Sequence, residues 1–405
     1  MHSRAETAIA HRVIAATLRG SGLTCGRDAL TVLRVRLLFT FAGGEGHLRP
    51  LLPLARAAVA RGHDVVVSGA ASLGRVAERD GLGFEPSGPD VTPIHTELVP
   101  IDMERELRAL RESFGGRFAR ARAADLLELC ARLRPGVVVL DEFDVGAAVA
   151  AERLAIPHAT VLTNASGGFA GAARLDEPIA RLRASHGLSA GAPLDMLGRH
   201  LVLSPFPPSF RDPADPLSPT ARSFRPEDAP RTAPAAGRPL VYVTLGTIFN
   251  TESGDLLARV VEGVRELPVD VVATVGRTLA PAELGPQPAN VRVERFLPQA
   301  ELLPRCAVAV THAGSGSVAG ALAHAVPLVC IPLGADQPLN AARCVAVGAG
   351  VALDALALTP TAAATAVREV LDEPRFRRAA DRLRAELAAL PPVSEAVGWI
   401  EALAP

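Results

Sequence analysis

A chain of 405 residues in which 49% are apolar is long enough for two, at most three, domains, each able to bury a core of its own. A formal net charge of −1 removes any broad electrostatic reason to expect nucleic acid or an acidic membrane surface as partner. All 42 basic residues are arginine, which excludes Schiff-base chemistry and a phosphate-loop lysine, and five scattered cysteines without CxxC spacing argue against a disulfide framework or a zinc site.

Residues 1–30 do not read as part of a packed domain. Arg4 to Leu30 is rich in Arg and Ala, nearly free of acids and superficially like a transit peptide, although His11 and Arg12 interrupt its only apolar run. A frayed or misassigned extension is expected there, with folded structure beginning near Thr31. Val32 to Phe41 reads as a strand, Ala42-Gly43-Gly44-Glu45-Gly46-His47 as a turn, and Leu48 to Arg61 as a helix with Pro50 in its first turn. A strand from His63 to Ser68 completes a βαβ unit. The alternation continues with a helix near Ser72 to Asp80, another from Met103 to Leu133 broken at Gly115-Gly116, a strand Val137 to Leu140, a helix Val145 to Leu154 and a strand His158 to Leu162. Such alternation predicts a parallel sheet covered on both faces, with ligands beyond the carboxyl ends of its strands. His47 and Asp141 both lie at such ends.

Prolines crowd the stretch from Ser204 to Pro239 and exclude a helix or central strand there. The predicted organisation is therefore an N-terminal domain over 31–210, a Pro-rich linker over 211–238, a second domain over 239–390 and a final helix within 391–405. The second series runs strand Leu240 to Leu245, helix Asp255 to Leu267, strands Val269 to Val275 and Val291 to Glu294, then strand Cys306 to Val310. It continues with helix Val318 to His324, strand Leu328 to Ile331, helices Asn340 to Val347 and Pro360 to Asp372, and helical segments Arg375 to Leu390 and Ser394 to Leu403. Two doubly wound Rossmann-like domains facing a central cleft are expected.

Within this series, Thr311-His312-Ala313-Gly314-Ser315-Gly316-Ser317 is a strand, glycine turn and helix N-terminus. Unpaired N–H groups and the positive end of the helix dipole suit an anion there, and glycines let it come close. A plain βα turn has the same outline. Gly314-Ser315-Gly316-Ser317-Val318-Ala319 also fits the dinucleotide pattern GxGxxA, with Asp336 about twenty residues on. That acid, however, falls past Pro332 instead of closing its strand. An NAD(P)-dependent oxidoreductase and a non-catalytic nucleotide-binding scaffold are the alternative readings of the turn.

Read together, Phe296-Leu297-Pro298-Gln299, His312-Ala313-Gly314, Ser317 and Pro332-Leu333-Gly334-Ala335-Asp336-Gln337-Pro338-Leu339-Asn340 resemble the donor-binding signature of the GT-B family 1 glycosyltransferases. Gly46-His47-Leu48-Arg49-Pro50 matches that family's GHxxP, and Leu245-Gly246-Thr247 its phosphate-loop segment. The similarity covers Thr31 to the C-terminus. It points in particular to actinobacterial enzymes that attach deoxysugars to polyketides and enediynes.

The resemblance implies a GT-B fold, with the C-terminal helices packing back on the N-terminal domain, and an inverting glycosyltransferase. It makes His47 the general base that takes the acceptor hydroxyl proton and Asp141, fifteen residues ahead of Ile156-Pro157, the carboxylate that orients it. It places Gly246, Thr247, His312, Gly314, Ser315, Gly316 and Ser317 around the diphosphate. Phe296, Leu297 and Gln299 would meet the base, and Asp336 and Gln337 the hydroxyls of the transferred hexose or deoxyhexose. No cofactor or metal is implied, because the nucleotide diphosphate sugar is a co-substrate and the turn supplies the donors for its leaving group.

Gly320 departs from the plant members, which carry there a Glu for the ribose hydroxyls. Its absence favours dTDP over UDP. The acceptor is expected between Pro86 to Arg117 and Thr163 to Leu175, where Phe84, Phe114, Phe118, Phe143 and Phe169 suit a hydrophobic natural product. A homodimer or auxiliary protein partner is compatible with the sequence. No apolar run approaches the ~20 residues of a membrane helix, so a cytoplasmic protein without an integral membrane segment is expected.

Overall fold

The computed structural model describes residues 34–90, 97–172, 175–189, 191–227, 237–246, 253–276 and 279–405. The extension assigned to residues 1–30 lies outside them.

The short Val- and Leu-rich runs form two fully parallel sheets. The first has seven strands: β1 (Arg36–Thr40), β2 (Asp64–Gly69), β3 (Gly83–Pro86), β4 (Val137–Asp141), β5 (His158–Val161), β6 (Leu201–Ser204) and β7 (Ala221–Ser223). Their order is β3-β2-β1-β4-β5-β6-β7. The second has six: β8 (Leu240–Thr244), β9 (Asp270–Thr274), β10 (Val291–Glu294), β11 (Cys306–Thr311), β12 (Leu328–Cys330) and β13 (Gly350–Ala352), in the order β10-β9-β8-β11-β12-β13. Both have the doubly wound order, which reverses between β1 and β4 and between β8 and β11. Loops leaving the carboxyl ends of those adjacent strands diverge to opposite faces and open a crevice.

Alternation along each strand fills a core on both faces of each sheet. In β1 and β4, Leu37, Phe39, Val137 and Val139 enter one cluster, while Leu38, Val138 and Leu140 enter the other. The last helix, Val393–Glu401, puts Ala396, Val397 and Ile400 into the N-terminal core. Arg61 grips Glu401 there through two hydrogen bonds of 2.6 Å. The chain thus returns to its first domain, as the GT-B resemblance implies.

Three differences from the sequence reading have local causes. The N-terminal sheet runs on through β7, inside the stretch read as linker, because a three-residue strand at the sheet edge needs partners on one side only and fits between Pro219 and Pro226. The strands β3, β6, β7 and β13 were not predicted, being three or four residues long and formed through pairing. The long helix is not broken at Gly115-Gly116. Helices Met103–Glu112 and Phe118–Leu133 join through a π-helical turn, Ser113–Arg117, in which a Cβ at Gly115 would lie 3.1 Å from Leu175 Cδ2.

Candidate active site

The first crevice brings His47 and Asp141 together. Ala42 to Gly44 leave β1, and a short helix, Glu45–Leu48, begins three residues before the predicted start, so that His47 stands in a helical turn over the strand end. Asp141 closes β4. The buried Asp141 carboxylate accepts from the backbone N–H groups of Ala42 (2.7 Å, Oδ2) and Phe143 (2.8 Å, Oδ1). His47 Nδ1 is 3.1 Å from the same Oδ1. An ionised Asp141 requires the proton on Nδ1, which leaves Nε2 as the basic nitrogen.

The imidazole also needs Gly43. That residue has φ +122°, and a Cβ on it would fall 2.5 Å from His47 Cδ2. Phe114 stacks on the ring at 5.5 Å, and Phe143 meets it edge-on at 5.4 Å, leaving the side chain 23% exposed. Burial works against a charged imidazole, but the charge and hydrogen bond of Asp141, aided by Glu142 and Asp336, outweigh it and raise the His47 pKa above 6.5. Burial pushes the Asp141 carboxyl up, while His47 and the Ala42 N–H hold it back.

Neighbouring acids do other work. Glu142 accepts from the backbone N–H groups of Thr163 and Asn164, each at 2.6 Å. Asp144 caps helix Val145–Arg153 and pairs with the buried Arg122, whose Nε lies 3.2 Å from Oδ1.

At the second crevice, Gly246 follows β8 and His312 follows β11. A Cβ at Gly246 (φ +82°) would lie 2.6 Å from His312 Cε1, and one at Gly314 would lie 2.5 Å from Nε2. Both positions therefore make room for the ring. Burial lowers the His312 pKa to about 4, so this residue offers a neutral donor or acceptor at pH 7 and not a charge. Gly314 is the N-cap of helix Ser315–Ala323, which starts before the predicted Val318 and takes Ser315, Gly316 and Ser317 into its first turn. Gln299 Nε2 reaches towards Ser317 Oγ at 3.5 Å, and its Oε1 is 3.4 Å from where a Cβ on Gly320 would stand. Phe296 is 44% exposed, so it is not a core side chain, while Leu297 packs against the second domain's core. Thr247 lies outside the described residues.

Asp336 is the hub of a half-buried network. Ser315 Oγ donates to Asp336 Oδ2 (2.6 Å), and Asn340 Nδ2 donates to the same oxygen (2.8 Å) and to the Ala313 carbonyl (3.0 Å). Burial raises the Asp336 carboxyl, while the Ser315 and Asn340 bonds and the His47 charge oppose it. Gln337, buried, turns its Oε1 to the Leu333 N–H at 2.8 Å.

A cavity of about 150 Å³ joins the first crevice to the Ala335-Asp336 turn of the second domain, lined by His47, Phe114, Phe143, Phe169, Asn164, Glu106 and Asp336 among others. Of the residues that the resemblance assigns to the donor sugar, Asp336 lines it and Gln337 does not. Phe84 packs into the N-terminal core, and Phe118 sits edge-on to Phe114 at 5.3 Å. Sequence reasoning missed Glu106, Asn164 and Gly43. Glu106, Ala109, Leu110, Ser113 and Phe114 line the cavity at helical spacing, a periodicity that the sequence carries.

Comparison with known proteins agrees with this fold. The family profile described as erythromycin biosynthesis protein CIII-like, C-terminal domain, matches residues 258–403. The chain is 34% identical to a 4'-demethylrebeccamycin synthase from Lentzea aerocolonigenes, over 91% of this chain and 99% of that one. Glycosyltransferase SnogD from Streptomyces nogalater superposes with a TM-score of 0.74 at 29% identity, covering 92% of this chain and all of that one. Glycosyltransferase VinC, solved in complex with dTDP, gives 0.73 at 27% identity over 91% and 99% of the two chains. The fold and its two crevices define a GT-B enzyme. The chain belongs to the natural-product glycosyltransferases of antibiotic biosynthesis, which sets aside the oxidoreductase and scaffold readings.

Proposed function

We propose that the protein transfers a hexose or deoxyhexose, with inversion, from a dTDP-sugar to a hydroxyl of a hydrophobic natural-product acceptor. The observation that carries this reading is the His47–Asp141 pair facing Asp336 in one cavity. His47 Nε2 takes the acceptor proton as the acceptor oxygen attacks the anomeric carbon. The bond from that carbon to the diphosphate oxygen breaks, and the nucleoside diphosphate leaves with the electron pair. Asp141 fixes the tautomer and balances the imidazolium.

The developing negative charge meets the first-turn N–H groups of helix Ser315–Ala323 and the His312 ring. These donors support a reaction without a metal. Asp336 suits the sugar hydroxyls, and Gly246, Gly314, Gly316 and Ser317 the diphosphate. Phe296, Leu297 and Gln299 suit the base. Gly320, without a side chain for a ribose 2'-hydroxyl, and the dTDP held by VinC favour dTDP. Phe114, Phe143 and Phe169 favour an apolar acceptor.

His47→Ala is expected to lower kcat on the order of 10²–10⁴-fold while dTDP still binds. Transfer at the wild-type rate would overturn the assignment. NMR of the product should show the anomeric configuration opposite to the donor's, and activity should persist in EDTA.

A further inference from the structure

Three hydrogen bonds join the first domain to the turns around Asp336 in the second. Ala165 N–H donates to Ser315 Oγ (2.8 Å), Ser166 N–H donates to Asn340 Oδ1 (3.1 Å), and Ala335 N–H donates to Glu106 Oε2 (3.1 Å). In the third, the side chain comes from the acceptor domain. Glu106 lies on helix Met103–Glu112, is buried, and lines the cavity on the same helical face as Leu110 and Ala109.

The backbone it holds is unusual. Ala335 has φ +52°, the left-handed conformation that side-chain-bearing residues rarely adopt and that persists where surrounding structure fixes it. It precedes Asp336 directly. A carboxylate accepting from that N–H makes a stronger bond than a neutral acceptor, so it fixes the turn from which the Asp336 side chain reaches the cavity.

We propose that Glu106 is a positioning residue for the donor sugar. It holds the Ala335-Asp336 turn across the cleft, so that the helix lining the acceptor cavity also sets the sugar-binding carboxylate. This rests on the glycosyltransfer reading, with Asp336 on the sugar.

The test is titration calorimetry with dTDP and with dTDP-glucose on wild type, E106L and E106Q. E106L removes the acceptor at similar volume. It should weaken dTDP-glucose about tenfold, equivalent to about 1.4 kcal/mol, and leave dTDP within twofold, because dTDP lacks the sugar. E106Q, with a neutral amide oxygen, should fall between. E106L binding dTDP-glucose as wild type does, or losing both ligands equally as for a merely structural role, would overturn the proposal. Should E106L fail to fold, E106D, one methylene too short for the contact, must show the same selective loss, and an unchanged ratio overturns it. A wild type that binds neither ligand overturns the donor reading and the proposal with it. A wild type that binds both, with indifferent variants, overturns only the role of Glu106.

Discussion

Asp141 accepts two backbone N–H groups before it touches His47, so its orientation is set by the chain and not by the imidazole. An amide at this position presents N–H groups where donors already point, and it cannot support the same tautomer. Asp141→Asn is expected to cost on the order of 10²–10⁴ in kcat. The pH profile gives a second readout. Since the His47 pKa is raised above 6.5, wild-type kcat/KM should climb with pH through a value above 6.5 as the base loses its proton. Removing the Asp141 charge lowers that pKa, so the acidic limb should move to lower pH in Asp141→Asn. An unmoved limb would show that the limb is not His47. Stability runs in the opposite sense. The His47–Asp141 attraction stabilises the fold fully below 6.5 and is lost as pH rises through the folded pKa, the range where the base becomes active.

At the scale of elements, the two crevices use the same device. One strand at each reversal of sheet order, β1 and β11, leads into a glycine-containing turn that seats a histidine ring against a position where a Cβ would collide with it. The two positions should separate in their effects. Gly43→Ala pushes the His47 ring aside, and a displacement near 1 Å costs about 10²-fold in rate. It should lower kcat and leave dTDP binding intact. Gly314→Ala crowds His312 at the start of the donor helix, and it should weaken dTDP by about tenfold in calorimetry. The π-helical turn at Ser113–Arg117 has a related role, since it rotates Phe114 onto His47 without ending the helix that carries Glu106.

At the scale of the molecule, helix Val393–Glu401 closes the chain back onto its first domain. Its Glu401 carboxyl is held below 4.5 chiefly by the hydrogen bond from Arg61, burial opposing and His63 adding to it. A depressed acid contributes stability above its unfolded value that is lost as pH falls through its folded one. Glu401→Gln should therefore lower stability at pH 7 by about 1 kcal/mol, and the gap to wild type should narrow below pH 4.5 in paired thermal melts. Donor choice also belongs to this scale, because Gln299 and Gly320 come from different elements. Calorimetry should find dTDP tighter than UDP, and the reverse order would overturn the inference from Gly320.

The alternation of apolar strands with helices determined two parallel sheets, since strands buried on both faces must be continuously apolar. Spacing placed His47, Asp141 and the Gly314 turn at strand ends, where such sheets bind ligands. The sequence did not determine which of Asp141, Glu142 and Asp144 faces His47. Residues one and three apart at a strand end diverge, and only folding sent Glu142 to Thr163 and Asn164 and Asp144 to Arg122. Nor did it show that Gln337 turns to Leu333, that His312 is buried into neutrality, or that Glu106 crosses the cleft to Ala335. Those outcomes depend on burial and on contacts between residues as far apart as 106 and 335, which no local pattern encodes.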